Sequence, residues 1–80
     1  MVTYSPVMEY RHSELWPARE TEPGRIGLYQ PVQIDAVDAH LQEWCGAGWL
    51  LVSATTLMVM LGSQTYPMHS FFWSRDTPAG

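Results

Sequence analysis

The chain has no lysine, no asparagine and one cysteine, Cys45, among its 80 residues. A single thiol excludes an internal disulfide, and the lack of asparagine excludes N-glycosylation. Lysine is ordinarily among the commonest residues. Lysine and asparagine both use A-rich codons, so their joint absence points to a GC-rich genome, such as that of an actinobacterium or one of its phages. Positive charge is scarce as well. Arg11, Arg19, Arg25 and Arg75 are scattered, and eight acidic residues bring the formal net charge to −4. Such a chain lacks the basic footprint that a phosphate backbone requires, which argues against nucleic acid as a partner. Long apolar runs are missing too. The longest, Trp49–Leu61, is interrupted by Ser53, Thr55 and Thr56, whereas a membrane helix needs about 20 apolar residues. Met1–Tyr10 has neither a basic region nor an apolar run, so no signal peptide and no membrane partner are expected. With one free thiol, the expected compartment is the cytoplasm.

Residues 1–80 read as one domain, with 1–6 and 76–80 as loose termini. A core of this size contributes roughly 3–5 kcal/mol, and small domains usually add a staple. Disulfides are excluded, and no Cys/His cluster has structural-zinc spacing. Self-association is the staple left.

Residues 7–16 alternate, with Met8, Tyr10, His12 and Trp16 on one face and Glu9, Arg11 and Ser13 on the other. This predicts a strand covered on one side, ended by Pro17. Residues 17–31 read as a loop or short extra strand: Pro23-Gly24 marks a turn, Ile26–Tyr29 can form a hairpin arm, and Pro31 keeps that arm from the centre of a sheet. A helix of roughly 11 residues follows, too short to be stable without tertiary support. Asp35 is its expected N-cap, Asp38 favours the positive end of its dipole, and Ile34, Val37, Leu41, Trp44 and Cys45 form its apolar stripe. Gly46 and Gly48 end it. Trp49 to about Met60 is a strand, residues 61–64 a turn, and 65–75 the return strand, whose Pro67 places its beginning at an edge or bulge. The expected fold is α+β: a small three- to four-stranded antiparallel sheet with one helix packed on one face, in the order β-α-β-β.

Gly48-Trp49-Leu50-Leu51-Val52, following a helix that ends in small residues and leading to an aromatic strand that closes on Arg75, resembles the domain-of-unknown-function family numbered 4177. The likeness covers residues 36–75, with 8–16 as the first strand. It departs at Leu50, where that family often carries charge, and in a longer, more apolar hairpin. The resemblance implies a small βαββ fold with Gly48, Trp49, Leu51, Leu41 and Trp44 in its motif and core, and no activity.

Strict alternation puts Trp49, Leu51, Ser53, Thr55 and Leu57 on one face and Leu50, Val52, Ala54, Thr56, Met58 and Met60 on the other. A sheet under one helix should have one polar face, and here neither is polar. Trp49 and Leu51 are assigned to the helix, since the resemblance places the charged position opposite. Leu50, Val52, Ala54, Met58 and Met60 then form an open apolar patch larger than a monomer normally shows. A homodimer or higher oligomer would cover it; folding back of residues 1–30 is the alternative.

Candidate chemistry is thin. Cys45 lies on the stripe at the negative end of the helix, which fits a buried packing cysteine rather than a nucleophile. His40 and Glu43 share a helix edge, but two ligands are too few for a structural metal. His12, His40 and His69 would form a metal site only by sharing a face. Met58, Met60 and Met68 fit an adaptable contact surface better than copper ligation. Trp16, Trp44, Trp49, Trp73, Phe71 and Phe72 read as an aromatic core rather than as base-stacking platforms. Asp35, Asp38 and Glu43 are explained by the helix terminus and its solvated edge. No catalytic residue, metal or cofactor is expected. The reading is a non-enzymatic interaction module that associates with itself and presents its hairpin, or the loop 17–31, to another protein. The alternative is a binder of small ligands or single-stranded nucleic acid that uses exposed aromatics.

Overall fold

A computed structural model describes residues 7–19 and 28–77. The expected turn at Pro23-Gly24, the start of the arm at Ile26, and the terminal residues 1–6 and 78–80 lie outside the described residues. The elements run β1 (Val7–Leu15), β2 (Ala18–Arg19), β3 (Tyr29–Gln30), α1 (Ile34–Gly46), β4 (Leu50–Leu61) and β5 (Gln64–Thr77). β1, β5 and β4 form one antiparallel sheet with β5 in the centre, and β2 pairs with β3 in a separate two-stranded arm. This is the α+β fold expected from the sequence, with one helix against the sheet. Asp76 and Thr77, expected in a loose tail, instead extend β5 opposite Met8 and Val7.

The helix begins two residues earlier than expected, with Gln33 rather than Asp35 at the N-cap position. Gln33 holds an extended conformation, and its carbonyl accepts from the N–H groups of Ala36 and Val37 at 3.0 and 3.2 Å. Asp35 is therefore not the N-cap. It sits in the first turn, where its charge faces the positive end of the helix dipole. No side chain caps the start.

The other end is built by Gly48-Trp49. Gly48 has φ +92°, in the left-handed region that side chains disfavour. Its N–H donates to the Cys45 carbonyl at 3.0 Å, and the Trp49 N–H reaches back to the Trp44 carbonyl at 3.1 Å. This is a Schellman ending, which ordinarily brings an apolar contact between the residue after the glycine and the last turn. Here that contact is Trp49 against Trp44, with ring centroids 5.5 Å apart. A Cβ on Gly48 would meet only the Arg75 side chain, at 3.8 Å. The glycine is needed for its backbone angle rather than for space.

β4 and β5 are joined by Gly62-Ser63, with Leu61 opposite Gln64. Gly62 has φ +65° and no non-glycine residue among those described has positive φ, the pattern of a two-residue type II′ turn. Pro67 lies in the central strand, opposite Met58. β1 stops at Leu15, opposite His69, so β5 has only one main-sheet neighbour at Pro67, and its missing N–H costs no ladder bond there.

One bulge decides which residues share a face. Leu51 pairs with Trp73 and Ser53 with Phe72, so Val52 is the extra residue between them. Directly opposed residues point the same way. Ser13, Phe71, Trp73, Leu51, Ala54, Thr56, Met58 and Met60 therefore share the helix face. Tyr10, His12, Phe72, Leu50, Ser53, Thr55 and Leu57 share the other. The expected alternation across β4 is thus wrong beyond Leu51. Leu50, Val52, Ala54, Met58 and Met60 do not form one patch: the bulge puts Leu50 on the open face, and Ala54, Met58 and Met60 on the helix face.

The core is compact and aromatic. Trp49, Phe71 and Trp73 are buried, with Leu15, Val37, Leu41 and Trp44 packed on them. Trp73 is fully enclosed and stacks on Trp44 at 5.1 Å and 13°. Away from this core the molecule is drawn out. Its radius of gyration is 17.6 Å, against roughly 12 Å for a compact chain of this length.

Candidate interaction surface

β4 is an edge strand of twelve residues, and none of them is buried. On the open face Leu50 is 65% and Leu57 50% exposed; on the helix face Met58 is 63% and Met60 76% exposed. α1 covers the end of the sheet around Phe71 and Trp73 and leaves the hairpin arm bare on that side. Of the described residues 7–19 and 28–30, Val7–Leu15 is the opposite edge strand, and Tyr29 packs on the arm at Tyr66, with ring centroids 5.7 Å apart and its N–H donating to Tyr66 Oη at 3.2 Å, while no residue of β4 is buried.

The two edges differ chemically. β1 carries Glu9, Arg11 and Glu14 within nine residues, whereas β4 contains no charge and no proline. Charges and prolines are the ordinary means by which a sheet edge avoids pairing with another chain.

The histidines do not converge. His40 lies on α1 with its ring against Phe71 at 5.1 Å, and its Nε2 is 2.8 Å from Ser13 Oγ. His69 Nδ1 is 3.0 Å from Thr56 Oγ1 on the same face of the sheet. His12 is on the other face, 2.6 Å from Ser70 Oγ. No group of three or more His, Cys, Asp or Glu among the described residues could hold a metal ion.

Ser70, His12 and Glu14 do line up on the open face, in the order of a nucleophilic relay. The geometry falls short of one. His12 Nδ1 and Glu14 Oε1 are 3.9 Å apart, beyond hydrogen-bond reach. Ser70 is mid-strand in the centre of the sheet, where ladder bonding leaves no pair of backbone N–H groups free to bind an oxyanion. Glu14 instead accepts from Trp16 Nε1 at 3.2 Å. The set is a polar strip beside the apolar β4 half of that face.

On the helix face a hydrogen-bond chain fixes α1 to the sheet. Trp73 Nε1 donates to Ser13 Oγ at 2.8 Å, and Ser13 meets His40. The sequence had placed His40 on a solvated edge and Cys45 on the buried stripe. The reverse holds: Cys45 and Ile34 are exposed, while His40 is half-buried. At about 100° per residue, the covered arc runs from His40 through Trp44 and Val37 to Leu41. Ile34 and Cys45 fall past its far edge. Ser13→Ala should strand the enclosed Trp73 N–H and destabilise the fold by about 1–3 kcal/mol, read as a lowered urea midpoint with an unchanged slope.

Two of the scattered arginines meet over Trp49. The Arg75 guanidinium lies 4.4 Å and that of Arg11 5.9 Å from its ring centroid, and Arg75 also pairs with Glu9 at 3.2 Å. Trp44, Trp49, Trp73 and Phe71 form the aromatic core, while Trp16 and Phe72 are exposed. The three methionines do not gather: Met68 is buried and on the open-face side, opposite Leu57, away from Met58 and Met60. Asp38 Oδ2 accepts from Gln42 Nε2 at 3.1 Å on the outer face of α1, and Asp35 and Glu43 are exposed there.

No helix among the described residues is long and apolar enough to cross a membrane. No protein-family model, curated protein or solved structure matches the chain.

Proposed function

We propose that this chain is a non-enzymatic interaction module that associates with itself through the β4–β5 arm and presents the assembled surface to a further protein. The observation that supports it is β4, twelve residues with no charge and none buried. The chain exposes 6009 Å² at a mass of 9.1 kDa, against roughly 4,900 Å² for a compact monomer of that mass. Folding has left surface that association can remove, and each 100 Å² of apolar area so removed stabilises by about 2.5 kcal/mol before association costs. The composition suits a small cytoplasmic accessory protein of a phage or actinobacterium.

Binding of single-stranded nucleic acid has less support. It needs aromatic platforms beside cations. Here the exposed aromatics Tyr10, Trp16 and Phe72 lie on the open face, while Arg11 and Arg75 lie over Trp49 on the helix face. Sedimentation equilibrium should give a dimer or higher species at micromolar concentration. A strict monomer across that range overturns the reading.

A further inference from the structure

We infer that the first partner of β4 is β4 of a second copy, paired antiparallel about a two-fold axis at Leu57. This rests on the self-association proposed above and gives it an occupant and a register. The argument begins from exposure on both faces. A partner stacked on one side of the sheet would cover Leu50 and Leu57 or Met58 and Met60, but not both sets. A strand added at the edge lies beside both. It also satisfies the outward N–H and C=O groups, which an edge strand otherwise leaves to water.

The bulge limits the regular ladder to Ser53–Leu61. A two-fold axis normal to the sheet pairs residues of like face, and Leu57 is the middle of that segment. Centring there pairs all nine residues, whereas moving the axis toward Gly62 shortens the ladder and moving it toward Leu51 runs the ladder into the bulge. The side chains then match in size. Ala54 meets Met60 and Thr56 meets Met58 on the helix face; Thr55 meets Val59 on the open face, and the two Leu57 side chains touch on the axis. No pair places like charges together, because the segment has none. Within the paired segment Leu57, Met58 and Met60 are the large exposed apolar side chains, one on the open face and two on the helix face, and a second β4 laid along this edge lies beside all three. β1 makes a poor second candidate, since a copy docking there would bring Glu9, Arg11 and Glu14 against their counterparts.

The test uses Cys45→Ser with Ser63→Cys carrying a nitroxide. Ser63 is an exposed turn residue outside the paired segment, so the label leaves the contact intact. At about 3.3 Å per residue, the two labels should lie about 40 Å apart by pulsed dipolar spectroscopy. A parallel variant, Leu57→Lys, puts two like charges on the axis and should weaken the dimer at least about a hundredfold, with an unchanged far-UV spectrum. A dimer by sedimentation whose labels lie more than 10 Å from the expected separation, or which survives Leu57→Lys at the parent affinity, overturns the edge register while self-association stands. A monomer of the parent chain overturns both.

Discussion

Trp73→Ala is expected to leave the chain unfolded at 25 °C. Removing a buried tryptophan costs about 3–5 kcal/mol, and a domain of this size holds about that much in total. Trp73 is the one fully enclosed large side chain among those described. It stacks on Trp44 of α1, contacts Phe71 within β5, and anchors β1 through Ser13. Its loss therefore releases the helix and an edge strand together. Trp73→Phe keeps most of the volume and gives up the N–H, so it should retain a cooperative urea transition at a lower midpoint. Far-UV circular dichroism across a urea series separates the two variants. A folded Trp73→Ala chain of near-parent stability would mean that the aromatic cluster is not the centre of the fold.

The second large effect is a thermal midpoint that climbs with protein concentration. If the arm is completed by another copy, unfolding is coupled to dissociation, and mass action makes stability depend on protomer concentration. A tenfold change is worth about 1.4 kcal/mol per dimer. Spread over two chains of this length, that is a shift of roughly 3–6 °C for each tenfold step. Calorimetry from micromolar to millimolar concentration reads it directly. A midpoint constant over that range is the result expected of a self-sufficient monomer.

The helix, the first strand and the β4–β5 hairpin were legible because punctuation and periodicity agree on them. Gly48 stops the helix, with Gly46 its last residue rather than its stop, Gly62 makes the turn, and β1 alternates as written. Pro67 was read correctly as an edge residue, although the edge is local to one stretch of a central strand. What could not be read was the bulge. Val52 has no glycine or proline beside it to mark the extra residue, and one residue of slip moves every later side chain to the opposite face. That is why the expected patch of Leu50, Val52, Ala54, Met58 and Met60 is divided between two faces. The surplus of apolar side chains on β4 was visible, because it does not depend on which residues share a side.

The helix stripe was rotated for a related reason. Ile34 and Cys45 satisfy an apolar spacing, yet the covered arc also admits His40, whose ring packs on Phe71 while its nitrogen meets Ser13. Spacing rules that count only apolar residues pass over an imidazole that finds a hydroxyl partner. The converging arginines were hidden too, since Arg11 and Arg75 are distant in sequence and meet only because their strands flank Trp49.

The unequal distribution of charge between the two borders of the sheet bears on where growth would stop. A pair joined at β4 would use up the adhesive border of both members and leave β1 at each outer rim of a six-stranded sheet. A third molecule arriving there would find Glu9, Arg11 and Glu14 in place of bare backbone between apolar side chains. Isologous contact of this kind closes on itself, so a chain whose β4 stands exposed in the single copy would be protected from polymerising into fibres.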